Sequence, residues 1–424
     1  MQKIHFIGIG GIGASSLAQI LHEKGVKISG SDQTASAITR TLQKKGIKVN
    51  IGHDRKAIPT KCNLVIYSPA IPPDNTELRE AKKRKIKTQT YPQALGELSK
   101  EYFTIAIAGT HGKSTTTAMT ALILKEAGLD PTVIIGTKVK QLSNRNFRVG
   151  KSQYLVVEAC EYKESFLSLK PNLLVLTNLE ADHLDYYKTY KNYKDTFKKL
   201  IKKVPKDGTI IIHNDKGLKE ITKDSKTPII EWNKENPLEI ELKIPGAFNI
   251  ENATNAAVAA QILGVDQKHI EKALKNFTGT WRRMEDKSKK GYKCRLIDDY
   301  GHHPTEVKMT LEALRNQNPK AKILTIFQPH QYNRTASLLK EFGKSFIHSN
   351  KTIIPNIYQV RDSEEDIKKV SPQDLVNEIK KNKKQAIFGN GLEKTAEYIK
   401  KNHQKYDIII TMGAGDITSI HKML

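Results

Sequence analysis

Short apolar runs alternate with helical patterns at the start of the chain. Residues 4–7 form a mostly apolar strand pattern, residues 14–24 have the pattern of a helix, and residues 26–29 have the pattern of a second strand. Leu64–Tyr67 repeats the strand pattern further on. Strands that are separated by helices predict a parallel sheet with helical crossovers.

The same alternation begins twice more along the chain. The second block opens with the strand pattern Phe103–Ala108, and the third opens after Arg283. Further strand patterns follow in these blocks, at residues 154–158, 173–177, 209–212, 294–298, 323–327 and 408–411. We therefore expect an α/β protein of three units, with domains over residues 1–98, 99–280 and 281–424.

A glycine turn follows the first strand pattern. Gly8, Gly10 and Gly13 have the spacing G-x-G-x-x-G, and Asp32 lies 19 residues beyond Gly13. The pattern requires a tight turn, close approach of the backbone to a diphosphate, and an acid that faces a ribose or base. NAD and a UDP-sugar both meet these requirements, so this turn alone leaves an NAD-dependent oxidoreductase open.

A second glycine turn, "AGTHGKSTTT", lies between the strand pattern Phe103–Ala108 and a helical pattern. Backbone N–H groups at the start of such a helix bind phosphate, Lys113 can reach the outer phosphates, and Ser114 or Thr115 can offer a hydroxyl to Mg²⁺. The turn is tighter than a standard P-loop, which has a glycine where this chain has Ile107. We expect ATP phosphates to contact Gly109, Thr110, His111, Gly112, Lys113, Ser114 and Thr115.

Glu158 and His183, which lie at or beyond the ends of buried strand patterns, are candidate metal ligands. Glu158 ends the pattern at residues 154–158, and His183 follows the next one. A carboxylate in a buried strand is costly unless it is paired or binds a metal. Asp182 and Asp185 compete with His183 as ligands, and His183 has the alternative role of a capping or packed histidine.

Two loops in the third block combine charged and aromatic side chains. "IDDYGHHPTEV" contains Tyr300 and His302, and "FQPHQYNRT" contains His330 and Arg334. Both loops follow strand patterns, where open α/β sheets bind their ligands. The alternative is helix capping by Asp299 and Thr305, with the histidines at the surface.

The composition limits the kinds of binding partner that we expect for this chain. The formal net charge is +25, but the basic runs are dispersed over helical patterns, which favours solvated helix faces over nucleic-acid binding. Three isolated cysteines fit a reducing compartment, and no apolar run reaches the length of a membrane span. We expect a cytoplasmic protein, a monomer or weak homodimer, with no nucleic-acid partner and no insertion into a membrane.

Seven motifs in order resemble those of the Mur ligases. They are "HFIGIGGIG", "SGSD", "AGTHGKSTTT", "TNLEADHLDYY", "DDYGHHPTEV", "FQPHQYNRT" and "MGAGD". "GHHPTEV" and "FQPH" are similar to the alanine-adding branch of that family. The resemblance implies an N-terminal Rossmann-like UDP-binding domain, a central P-loop ATPase domain with a parallel sheet, and a C-terminal Rossmann-like domain.

The resemblance also implies a reaction. ATP drives the joining of L-alanine to the carboxylate of UDP-N-acetylmuramate through an acyl phosphate, with two Mg²⁺ ions, or Mn²⁺ in their place. Alternatives within the class are a ligase that adds another amino acid or a recycled murein peptide, and a folylpolyglutamate-type synthase. An alternative outside it is a nucleotide-binding scaffold whose active site has decayed.

Matching motif positions extends the set of expected site residues. Asn249 and Asn252 resemble adenine-facing asparagines, and Arg282 and Arg283 resemble a pair that meets the nucleotide phosphates; we place Asp299 in the same ATP site. The catalytic set is Lys113, Glu158, His183, His302, His330 and Arg334. The metal set is Ser114, Thr115, Glu158 and His183. The UDP-sugar set is Gly8, Gly10, Gly11, Ile12, Gly13, Asp32, His53 and Ser68.

Two positions depart from the family pattern. Phe248 stands where the family has histidine, and it can pack against a base without hydrogen-bonding to it. Gln331 stands where the family commonly has arginine, which removes a fixed charge beside the site. The amino acid therefore stays open between L-alanine, glycine and serine.

Overall fold

A computed structural model describes residues 2–360 and 362–424 of the chain. Three β-sheets with flanking helices confirm the predicted three-domain α/β class. The first two sheets lie in one compact unit of the chain and the third sheet lies in a second unit. The first unit comprises residues up to 181, 191–241 and 251–276, and the second comprises residues 182–190, 242–250 and 277–424.

The first sheet is parallel and has the strand order β3-β2-β1-β4-β5. Its strands are β1 (Lys3–Ile7), β2 (Lys27–Asp32), β3 (Lys48–Ile51), β4 (Leu64–Tyr67) and β5 (Lys87–Thr90). Its helices are α1 (Ile12–Glu23), α2 (Ala37–Lys44), α3 (Thr76–Lys83) and α4 (Tyr91–Ser99). The early strand–helix–strand prediction is confirmed, whereas the short strands β3 and β5 were not predicted.

The second sheet has the order β12-β11-β10-β6-β9-β7-β8. Its strands are β6 (Phe103–Ala108), β7 (Thr132–Val139), β8 (Arg145–Arg148), β9 (Tyr154–Glu158), β10 (Leu173–Leu176), β11 (Thr209–His213) and β12 (Ile229–Trp232). Buried apolar side chains fill β6, β9, β10 and β11, which explains why these strands were predictable. β8 pairs antiparallel with β7 at the edge of the sheet.

Helices lie between the strands of this sheet in the chain, and two more follow its last strand. They are α5 (Lys113–Glu126), α6 (Leu184–Tyr187), α7 (Tyr190–Ile201), α8 (Lys216–Thr222), α9 (Ala247–Ile262) and α10 (Gln267–Lys275). α5 is buried along most of its length and packs on β7 and β9. The glycine turn at its start is therefore fixed to the carboxyl ends of the central strands.

The hairpin of β7 and β8 contacts two elements of the first unit. The Asn146 side-chain amide donates to the Ile12 carbonyl at 3.1 Å and to the Ser16 hydroxyl at 2.7 Å, both on α1. The Gly136 N–H donates to the Glu158 carboxylate at 2.7 Å. One hairpin thus contacts the first turn of α1 and the end of β9.

The third sheet has the order β13-β14-β18-β15-β16-β17, with β13 antiparallel. Its strands are β13 (Glu285–Asp286), β14 (Arg295–Asp299), β15 (Ile323–Phe327), β16 (Lys351–Ile354), β17 (Gln385–Phe388) and β18 (Ile408–Met412). Its helices are α11 (Pro304–Gln317), α12 (Tyr332–Ser337), α13 (Leu339–Ser345), α14 (Glu364–Lys368), α15 (Pro372–Lys381), α16 (Leu392–Asn402) and α17 (Ile420–Met423). Within the described residues, no helix combines the length and the apolar character needed to cross a membrane.

Candidate active site

The turn after β1 closes on the end of β2. Gly8 has a φ of +79°, and the N–H groups of Gly8 and Ile9 both donate to the Ser31 carbonyl. The Asp32 carboxylate accepts a hydrogen bond from the Gly10 N–H at 2.8 Å. Among the described residues no side chain caps the start of α1, so its first N–H groups are available to a phosphate.

Ser68 and His53 have different surroundings. A side chain on Gly8 would lie 3.1 Å from the Ser68 Cβ, so Ser68 contacts the turn itself. His53 Nδ1 lies 2.8 Å from Glu77, whose other oxygen lies 2.8 Å from Nε2 of the buried His5. Burial alone would raise the pKa of Glu77, but hydrogen bonds from His5, Ser31 and His53 lower it. The UDP-sugar roles of Asp32, Ser68 and His53 stay predictions.

The two glycines of the turn after β6 have no room for a side chain. Gly109 has a φ of +137°, and a Cβ there would overlap the Thr177 hydroxyl. Gly112, the N-cap of α5, has a φ of +80°, and a Cβ there would overlap the Asn252 side chain. This backbone, which the side chains around it enclose, is suited to a phosphate at the start of α5.

The Lys113 side chain folds back over this turn. Its Nζ donates to the carbonyls of Gly109 at 2.6 Å and Thr110 at 2.9 Å, and lies 3.1 Å from Glu161. Burial would lower the pKa of Lys113, but Glu161 and the nearby Cys160 and Glu158 raise it. The amine is therefore a permanent cation beside the turn.

Ser114 and Glu158 form an oxygen pair. The Ser114 hydroxyl donates to Glu158 at 2.8 Å, and the same carboxylate accepts from the Gly136 N–H. A hydroxyl and a carboxylate this close are a donor set that Mg²⁺ prefers, so these residues fit a Mg²⁺ ion. Thr115 lies buried in the first turn of α5.

The expected adenine-facing asparagines belong to different units. Asn252 is buried in the first unit, where it accepts a hydrogen bond from the Thr116 hydroxyl of α5 at 3.2 Å. Asn249 belongs to the second unit and donates to the Pro245 carbonyl at 2.6 Å. Phe248 and Met309 help to line a cavity of about 390 Å³ in that unit.

Arg334 and Asp182 form a buried ion pair in the second unit. Both side chains are 8% exposed, and their closest N–O distance is 3.1 Å. Burial alone would raise the pKa of Asp182, but Arg334, His183 and His302 lower it well below its usual range. His183 has a φ of +52°, and its N–H donates to the Asp182 carboxylate at 2.7 Å. His183 and Glu158 belong to different units.

His302 and His330 lie together in this unit. Their ring centroids are 5.9 Å apart, and His330 Nδ1 lies 3.4 Å from the Arg334 guanidinium. His302 Nδ1 lies 3.1 Å from the Tyr300 carbonyl, which accepts a hydrogen bond from a protonated Nδ1. Burial lowers the pKa of His302 to about 3, and Arg334 acts in the same direction. His302 is therefore neutral, with Nε2 as its acceptor.

Arg282 and Arg283 differ in their environment. The Arg282 side chain is 2% exposed, and its guanidinium binds the Asp298 carboxylate at 2.8 Å and the carbonyls of Gly413 and Gly415. This position supports a structural role for Arg282 within the third sheet rather than direct contact with phosphate. Arg283 is 30% exposed and pairs with Glu306 at 3.1 Å.

The side chains of Asp299 and Gln331 both form hydrogen bonds with the backbone of the second unit. The Asp299 carboxylate accepts from the N–H groups of Gly301 at 2.7 Å and Met284 at 2.8 Å. Burial raises the pKa of Asp299. The Gln331 amide donates to the Val360 carbonyl at 3.3 Å. Both side chains are thus engaged within the fold.

Sequence reasoning missed several side chains that complete these sites. Glu161 pairs with Lys113, Glu306 pairs with Arg283, and Glu77 holds His53. The second acid of "VVEACE" was a local signal for Glu161, since it lies three residues after Glu158. Glu77 and Glu306 lie in ordinary helical patterns, so only their three-dimensional contacts distinguish them.

The fold and these sites define a class of protein. Two glycine turns suited to phosphate, a lysine and an oxygen pair that fits Mg²⁺ are typical of an α/β enzyme that acts on nucleotides. Three family models match the chain: the Mur ligase family catalytic domain over residues 3–103, the middle domain over 107–237, and the glutamate ligase domain over 282–415. The chain belongs to the Mur ligase family, whose members are ATP-dependent ligases.

Individual relatives agree with this membership. The chain is 41% identical to the UDP-N-acetylmuramate–L-alanine ligase of Acetivibrio thermocellus, covering 100% of this chain and 95% of that one. It is 39% identical to the enzyme of that name from Clostridium acetobutylicum, covering 100% and 97%. The solved UDP-N-acetylmuramate–alanine ligase of Thermotoga maritima has a TM-score of 0.83 at 26% identity, covering 100% and 98%.

Proposed function

We propose that this chain joins L-alanine to the carboxylate of UDP-N-acetylmuramate at the expense of ATP, the first peptide step in making the peptidoglycan precursor. The observation that carries the proposal is the presence of two different phosphate-binding turns in one unit. One has Lys113 and the Ser114–Glu158 oxygen pair beside it, and the other binds through backbone N–H groups. Two separate nucleotides, ATP and a UDP-sugar, account for both turns, and the names of the full-length relatives support this pair.

The proposed chemistry has two balanced steps. The muramate carboxylate attacks the γ-phosphorus of ATP, so a C–O–P bond forms as the bond to ADP breaks. The amine of alanine then attacks the acyl carbon, and inorganic phosphate leaves with the bonding electron pair. Lys113 reduces the repulsion between carboxylate and triphosphate and stabilises charge on the transferred phosphoryl group.

Magnesium fits the first step. Ser114 and Glu158 would hold the ion, with Thr115 beside them, and the ion supplies positive charge to the phosphates when it is bound. A second ion at His183 is part of the same proposal, as is replacement of Mg²⁺ by Mn²⁺.

The amino-acid end of the reaction is assigned to the second unit. Arg334, which Asp182 holds, would orient an anionic group of the substrate. With a pKa of about 3, His302 is too weak a base for neutral pH, so its Nε2 would orient the amine and His330 would accept the proton. Arg283 would contact the nucleotide, because its guanidinium is more exposed than that of Arg282.

Phosphate release tests the proposal directly. The purified chain is given ATP, Mg²⁺ and UDP-N-acetylmuramate with L-alanine, glycine, L-serine or a murein tripeptide in turn. We expect L-alanine to give the highest kcat/KM; Gln331 in place of a charged arginine is the reason to include glycine and serine. An absence of turnover that depends on UDP-N-acetylmuramate, with every acceptor, would contradict the proposal.

The proposal extends to the domain boundaries, the compartment and the oligomeric state. The functional domains are residues 1–98, 99–280 and 281–424, the reaction takes place in the cytoplasm, and the chain acts as a monomer or weak homodimer. Light scattering across a range of protein concentrations checks the last statement. A stable higher oligomer at low concentration would contradict it.

A further inference from the structure

The Tyr91 side chain lies against the first glycine turn. A Cβ built on Gly13 would lie 2.6 Å from Cζ of Tyr91 and 2.7 Å from its hydroxyl oxygen. Real Cβ atoms are not found so close to another side chain, so the phenol occupies the space beside the first turn of α1. The third glycine of the turn is thus required by the presence of Tyr91.

α4 holds this phenol on a rigid support. Thr90 caps the helix and forms a capping box with Gln93. In the middle of the helix, a Cβ on Gly96 would overlap the Ser168 carbonyl, so the backbones are in close contact. At its end the Ser99 hydroxyl accepts from the Lys170 N–H at 3.1 Å. A side chain on such an element keeps its position when a ligand binds.

The Tyr91 hydroxyl is a donor without a protein acceptor. It is half-buried, and within residues 2–360 and 362–424 it has no hydrogen-bond partner. Burial, Cys160 and Glu158 raise the pKa of Tyr91 well above its usual range, so the hydroxyl keeps its proton. A half-buried O–H group is stabilised when a ligand supplies the missing acceptor.

We infer that the Tyr91 hydroxyl donates a hydrogen bond to the diphosphate of the UDP-sugar at the first turn of α1. The inference rests on the proposed function, which assigns that diphosphate to this turn. A diphosphate only accepts hydrogen bonds, and it meets donors here from two sides: the N–H groups at the start of α1 and the phenol on α4. Tyr91 is therefore a substrate-binding residue, in contact with the nucleotide half of the UDP-sugar.

Tyr91→Phe removes the hydroxyl and keeps the ring. Calorimetric titration with UDP should give a Kd about tenfold higher than that of the wild type, because a hydrogen bond to a charged group is lost. The KM for UDP-N-acetylmuramate should rise by a similar factor, while the KM for ATP and the melting temperature stay unchanged. Tyr154→Phe is the matched control, because it removes the same hydroxyl from a tyrosine at the start of β9, at the opposite end of that strand from Glu158.

Each outcome decides the matter. Weaker binding of UDP by Tyr91→Phe alone supports the inference. Unchanged binding of UDP by Tyr91→Phe overturns it, and so does an equal loss of affinity for UDP and ATP. If the wild type turns over UDP-N-acetylmuramate while Tyr91→Phe binds UDP normally, only the role of Tyr91 fails. If the wild type neither binds UDP nor turns over the UDP-sugar, the proposed function fails with it.

Discussion

In the turn after β1 a carboxylate holds the backbone, whereas in the turn after β6 the backbone holds a lysine. Asp32 accepts from Gly10, and the start of α1 offers N–H groups without a charged side chain of its own. Lys113 instead donates to the carbonyls of Gly109 and Thr110 and carries a positive charge. The same strand–turn–helix geometry is thus suited to binding in one place and to charge stabilisation in the other.

The two turns separate groups that bind a phosphate from groups that can act on its chemistry. Backbone N–H groups stabilise a diphosphate equally in substrate and product, so they contribute to affinity. A lysine and a carboxylate–hydroxyl pair can act on charge that moves during phosphoryl transfer, so they contribute to rate. Variants of the two turns test this division.

Lys113→Ala should have the largest effect. Removing the cation from the phosphoryl group should lower kcat for phosphate release by about a hundredfold to a thousandfold, with no change in the Kd for UDP. Lys125→Ala, an exposed position on the same helix, is the control. If Lys113→Ala weakened UDP as much as ATP, the two turns would not be functionally separate.

Glu158→Gln should have the next largest effect. The amide keeps the shape of the side chain but loses the charge of the oxygen pair with Ser114. We expect the Mg²⁺ concentration for half-maximal activity to rise about tenfold to a hundredfold. Glu97→Gln, an exposed carboxylate on α4, should leave the Mg²⁺ titration unchanged. An unchanged titration for Glu158→Gln would remove the metal from this turn.

Acid sensitivity should arise outside both turns, from His302. Its pKa is about 3 in the folded protein against an ordinary value near 6.5, so the folded state excludes a proton that the unfolded state binds. The contribution of neutral His302 to the free energy of unfolding is therefore fully present above about pH 6.5. It decreases by about 1.4 kcal/mol per pH unit as the pH falls from there toward 3.

Urea unfolding at pH 7, 6, 5 and 4 measures this slope. His302→Gln should flatten it, while His22→Gln, in the last turn of α1, controls for loss of a histidine elsewhere. An identical slope in wild type and His302→Gln would show that the acid sensitivity has another source.

Asp32→Asn should have the smallest effect. The amide oxygen still accepts from the Gly10 N–H, so the turn keeps its hydrogen bond and loses only the charge. We expect the KM for UDP-N-acetylmuramate to rise about threefold, with kcat and the Mg²⁺ titration unchanged. A large fall in kcat for Asp32→Asn would mean that the first turn takes part in the chemistry.

The sequence predicted the parts of the fold that are dictated locally. β1, β6 and β9 are mostly apolar and mostly buried, and both turns are marked by glycines. β5 (Lys87–Thr90) has a polar sequence, and no periodicity distinguishes it from a loop. Pairing with β4 makes it a strand, and that contact cannot be seen in a short window.

The sequence points to members of the candidate site where one residue type is suited to one task. A lysine and a serine after a glycine turn indicate phosphate and metal. The position of Arg282 was not predictable, because its burial against Asp298 depends on the packing of β14 and β18. The pair of Asp182 and Arg334 joins residues 152 positions apart, and no local pattern encodes that pairing.

The hairpin of β7 and β8 limits how freely the first 98 residues can be exchanged between relatives. Asn146 bonds to Ile12 and Ser16, while Gly136 on the same hairpin bonds to Glu158. A chimera that imports only a foreign N-terminal segment would place an unfamiliar α1 beside a native hairpin. Modular swaps in this enzyme should therefore take residues 132–148 along with the N-terminal segment, even though the two are distant in the chain.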